Sequence, residues 1–202
     1  MDDQPEDIIL PAEIARFFRN PALLATETFR EYDSLFRGIA LDIDPKNNLE
    51  WLALRNYLDC QWQIRRVQTA ISSIINAAHR PALQAILESI LPETQDRLEN
   101  AARMTCEWYE HPDGRGPILE LLRKHGLDET SIGVRAMEMH AVELDRLDGQ
   151  MQRQKLAVNR HLKELQAIRR CSFWRSTEEV GRGVKPGHPR ANGNRSPAGG
   201  LR

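Results

Sequence analysis

The sequence has no run of about 18 consecutive apolar residues, the length a membrane-spanning helix needs, so a membrane protein of that kind is not expected. Strand signals are missing too: no β-branched alternation is bounded by turn residues. The three cysteines, Cys60, Cys106 and Cys171, stand far apart. An odd count at wide spacing suits neither a disulfide framework nor a zinc site, and predicts buried or incidental thiols in a reducing cytoplasm. The first seven residues, Met1 to Asp7, are acidic. A secretory signal needs a basic start and an apolar core, so export by that route is not expected.

Catalytic signatures are equally scarce. There is no Gly-x-Ser-x-Gly elbow, phosphate-binding glycine loop, His-Glu-x-x-His or Cys-x-x-Cys. The histidines at 79, 111, 125, 140, 161 and 188 show no ligand spacing. Glu107 and His111 stand four apart at a predicted helix end, where a histidine also serves the negative end of the helix dipole. Glu138 and His140 are two apart and face different directions. Asp145 and Asp148 lie beside Arg146 and Arg153, the pattern of a solvated, salt-bridged helix face. The expectation is a non-enzymatic protein with no cofactor, no metal and no small-molecule site.

What the sequence does contain is helical periodicity. Phe29, Tyr32, Phe36 and Ile39 form one apolar stripe from about Thr26 onward. Asp44-Pro45 reads as a helix start, an Asp cap before Pro at the first helical position. Beyond it, Ala53, Cys60, Val67 and Ile74 recur every seven residues, interleaved with Tyr57, Ile64, Ile71 and Ala78, a coiled-coil seam. Trp51, Leu54, Leu58 and Trp62 make a second apolar face, which predicts a central helix packed from two sides. Pro81 predicts its end. Leu83, Ile86, Leu87 and Ile90 then suggest a short separate helix.

A further helix is predicted from about Glu93 to Glu110, with Leu98, Ala101, Ala102 and Trp108 as core. His111 to Gly116 reads as a loop. A short helix follows from Ile118 to His125 and closes at Gly126. Asp128 is the next cap. From there Met137, Leu144, Met151, Val158 and Leu165 keep a seven-residue repeat, predicting one long helix that bends near Gly149. Met104, Met137, Met139 and Met151 read as core filler, and Trp51 and Trp62 as packing anchors.

The predicted fold is therefore all-α: an elongated helical bundle with two long heptad-patterned helices, about 45–79 and 129–170, and short intervening helices. An irregular acidic segment (1–25), with a short helix around Glu13 to Arg19, precedes the helical domain (26–174). Residues 175–202 form a Gly/Pro/Arg tail. Its last 22 residues hold six Gly, three Pro and no acid, which predicts disorder.

Net charge is −1, but it is unevenly spread. From Arg153 onward there are twelve Lys/Arg against three Asp/Glu, leaving about −10 before that point and +9 after it. Such a split points to a polyanionic partner or to pairing between acidic and basic parts of different chains. Candidate nucleic-acid contacts are Arg153, Arg160, Lys163, Arg169, Arg170, Trp174 and Arg175, since basic arms gain affinity by releasing counterions and an aromatic among arginines can stack on bases. The heptad seams make a homo-oligomer the second candidate.

Leu52 to Arg66, and Met137 to Lys163 with its Glu143-Leu-Asp-Arg-Leu-Asp148 centre, resemble segments of uncharacterised proteobacterial helical proteins. The resemblance spans roughly residues 23–170. It implies a bacterial cytoplasmic protein and brings no catalytic residue with it.

Overall fold

The protein is described by a computed structural model covering residues 8 and 10–182, with side chains to Cys171. The predicted disorder of residues 183–202 falls outside the described residues. Those described form seven α-helices and one 3-10 turn, with no strand among them. They are α1 (Ala12–Phe18), α2 (Phe29–Ile43), α3 (Asn48–Ile90), α4 (Arg97–Glu110), the turn Pro112–Gly114, α5 (Arg115–Lys124), α6 (Glu129–Met139) and α7 (Ala141–Arg182).

α3 is the axis of the molecule. Its Trp51, Leu54, Leu58 and Trp62 join Ile14 and Phe18 of α1 and Tyr32, Phe36 and Ala40 of α2 in one core. Its Ala78, Ala82, Leu83, Ile86 and Leu87 join residues of α4, α5 and α6 in a second. α6 and α7 run antiparallel to α3 along its heptad face: Gly133 approaches His79, Arg160 lies near Cys60, and Arg169 meets Glu50. Between the two cores, Val67 is the one residue of 63–77 that is fully buried. That stretch of α3 also meets Glu31 of α2 through Arg65 and Glu27 through Arg66.

Several boundaries differ from the sequence reading, each for a physical reason. Asp44 does not start α3. It closes α2 in a left-handed conformation (φ 47°) with its N–H bonded to Ala40 O, a state Asp tolerates better than most residues. The α3 cap is Asn47, whose Oδ1 accepts from Glu50 N at 3.0 Å while the Glu50 carboxylate accepts from Lys46 N and Asn47 Nδ2. This is a capping box with its acid reaching one residue further back.

Pro81 does not end α3, which continues nine residues further. Pro81 and Ala77 are both exposed, so water can serve the Ala77 carbonyl that loses its partner. Full burial of Ala82, Leu83 and Leu87 carries the helix through. α3 stops where Leu91, held extended at ψ 147° by the following Pro92, leaves the helical region.

The predicted helix 129–170 is two helices. The break falls at His140 (φ −121°, ψ 23°), not at Gly149. Ile132 and Ala136 of α6 pack into the core around Ala82 and Leu87 of α3, whereas α7 buries Val158, His161 and Leu165 along an earlier stretch of α3. Gly149 stays helical inside α7, and a Cβ there would meet only the Arg153 guanidinium. α7 also runs to Arg182, past the expected boundary at 175. Leu98, Met137 and Met139, read as core, are 59%, 48% and 42% exposed. Gly126 at φ 74° and the Asp128–Ser131 capping box end α5 and start α6 as the sequence suggests.

Candidate nucleic-acid interface

The basic stretch falls on α7, which buries Val158, His161 and Leu165 against α3. On the opposite side Arg146, Arg153 and Arg160 repeat every seven residues, as do Lys163 and Arg170. At 100° per residue these five occupy an arc of roughly 120° on the outer face. All five are exposed. From Arg153 to Arg170 the row is about 26 Å long at helical rise.

Its members differ in how tightly they are held. Arg153 and Lys163 have no ion pair among the described residues. Arg160 Nε stands 3.8 Å from Glu164 Oε1, an exposed pair of the kind that contributes little. Arg170 donates from Nε to the carbonyl of Gln166 at 3.3 Å. The Trp174 and Arg175 side chains lie outside the described residues.

Arg169 points the other way. Its guanidinium donates to the carbonyls of Ile43 and Asp44 and to Glu50 Oε2, at 3.4 Å for the last two. The α2 C-terminus presents unpaired carbonyls and the negative end of a dipole, and an arginine there answers both. Glu50 is only 2% exposed, and Arg169 is its cationic partner. This candidate contact is committed to holding α7 against the α2–α3 corner.

The remaining sequence candidates do not assemble. Glu107 is bonded by Arg103 at 2.7 Å, and His111 contributes its backbone N–H to the Glu107 carbonyl rather than a ring nitrogen. Asp145 and Asp148 are exposed and have no ion pair among the described residues. His161 bonds Glu164 through Nδ1 at 2.8 Å, an interaction the histidine spacing did not reveal. No group of three or more His, Cys, Asp or Glu side chains among the described residues is placed to hold a metal. No described helix is long and apolar enough to cross a membrane.

The sequence reading missed a second ion pair of the same structural kind. Arg66 reaches both carboxylate oxygens of Glu27 at 2.6 Å and also the carbonyl of Ala22. The two side chains are only 16% and 13% exposed. Arg66, together with the Leu24 backbone N–H, holds the Glu27 carboxyl at about 2, well below its ordinary 4.5. The buried Trp62 indole N–H has no hydrogen-bond partner among the described residues. Nearby, burial and then the neighbouring Asp59 carboxylate push the Cys60 thiol up, the state of an unreactive thiol. A groove of about 480 Å³ between α3 and α6 is lined by Ile86, Ser89, Leu127, Ser131, Val134 and Arg135, among others.

Comparison with protein-family models, with curated proteins and with solved structures gives no match to this chain.

Proposed function

We propose that the protein is a non-enzymatic assembly protein that contacts nucleic-acid phosphates through the outer face of α7. The observation that carries this reading is the row Arg153, Arg160, Lys163 and Arg170. These are exposed cations on one face of α7, on the side away from its buried Val158, His161 and Leu165. Phosphate contact needs point charges on an accessible, ordered surface and no base reading. A bacterial cytoplasmic setting, implied by the resemblance of residues 23–170, is part of the same proposal. The test is fluorescence anisotropy of labelled duplex DNA with the full chain over a salt series. The reading expects binding that weakens steeply with salt. No binding at low salt would exclude it.

A second reading is a structural module that self-associates or takes an acidic protein partner. It is favoured by Val142 and Leu156, which are 81% and 70% exposed on the same helix. Apolar side chains at that exposure gain from a protein surface, whereas phosphates offer them nothing.

A further inference from the structure

The outer face of α7 is self-complementary about Gly149. Val142 lies seven residues before it and Leu156 seven after. At 100° per residue, all three fall within an arc of roughly 40°. Val142 and Leu156 are the most exposed large apolar side chains of the described residues, at 81% and 70%, and the glycine between them is partly exposed. A Cβ there would meet only the Arg153 guanidinium at 3.7 Å, the movable end of a side chain. Asp145 lies four before the glycine and Arg153 four after. Both are exposed and neither has an ion pair among the described residues. Within one helix they stand about 12 Å apart along the axis, beyond salt-bridge reach.

We infer that this face is an interface with a second copy of the chain, formed by two α7 helices crossing antiparallel at Gly149. In that arrangement residue 149 meets its own symmetry mate. Val142 packs on the partner's Leu156, and Asp145 pairs with the partner's Arg153. Two-fold symmetry makes each contact twice, the isologous pattern of most dimers. Glycine at the crossing lets the backbones approach, and the apolar pairs flank it. The ends of the acidic-to-basic gradient along α7 meet in reverse order, so that charge favours antiparallel over parallel pairing. One helix face per copy is a small interface, at the weak end of specific association.

This inference rests on the assembly part of the proposed function; it shares Arg153 with the nucleic-acid part, and the two are told apart at the other three cations of the row. Arg160, Lys163 and Arg170 take no part in the pairs invoked, so loss of DNA binding in their variants and loss of the dimer are distinct outcomes.

Sedimentation equilibrium on the full chain tests it, using Asp145→Arg, Arg153→Asp and the double exchange. Circular dichroism on each variant establishes that the fold is retained. Both positions are exposed, and helix content is expected to be unchanged. The wild type is expected to dimerise reversibly. Each single reversal places like charges opposite each other and weakens the dimer about tenfold or more, and the double exchange restores it. A monomeric wild type, a dimer indifferent to the single reversals, or a double exchange that fails to recover would each overturn the inference.

Discussion

The Arg169 guanidinium on α7 meets the buried Glu50 carboxylate on α3 across 119 residues of sequence. It also caps the last carbonyls of α2. One side chain thus ties three helices at one corner of the molecule. Arg169→Ala leaves a carboxylate that is 2% exposed without its cation and hands two surface carbonyls to water. The expected loss is about 1–3 kcal/mol, the cost of leaving buried polar groups unmatched. Arg170→Ala, one residue on and solvent-facing, is expected to change stability by about 0.5 kcal/mol or less. Urea unfolding of both variants checks the contrast; equal effects would remove Arg169 from its structural role.

Glu27 gives the fold an acid-sensitive contact. Its folded-state carboxyl titrates at about 2, against an ordinary 4.5. A depressed carboxyl contributes stability above its unfolded value and loses that contribution as pH falls toward the folded one. Stability is therefore expected to fall between about pH 5 and pH 2. In Glu27→Gln the wild-type protein's extra slope in that window should be reduced. Thermal unfolding at stepped pH checks it, and parallel pH profiles for the two proteins would contradict it.

Pro81 sits exposed inside α3. Its missing N–H and its ring cost the helix about 3 kcal/mol relative to Ala. Nothing around it depends on the ring. Pro81→Ala is expected to stabilise the protein by about 1–3 kcal/mol, seen as a higher urea midpoint. A lower midpoint would mean that the α4–α5–α6 core requires the local geometry proline imposes.

The parts of this fold that could be read from sequence are those set by local periodicity. Trp51, Leu54, Leu58 and Trp62 mark a buried face whatever covers it, and Asp128 and Gly126 are read from turn chemistry within a few residues. What was missed depends on partners distant in the chain. Pro81 is a helix breaker by local rules, and only the burial of Ala82, Leu83 and Leu87 overrides it. The seven-residue repeat carried straight through His140, because periodicity does not show that α6 packs into one core and α7 lies along a different stretch of α3. At the candidate site, charge clustering located the basic helix. It did not separate Arg169, which faces inward, from Arg170 beside it. That distinction needs the helix phase against α3 and the carbonyls of α2, residues 126 positions away.

The most direct measurement of the central claim compares duplex-DNA binding by the full chain with that of an Arg160→Gln, Lys163→Gln, Arg170→Gln variant. Arg169 is left intact so that the fold is kept. Anisotropy titrations across a salt series give the slope of log affinity against log salt. The outer-face account predicts weaker binding by the variant and a shallower slope, by roughly 2–3 for three lost phosphate contacts. Identical slopes and affinities for the two proteins, or no binding by either at low salt, would contradict it.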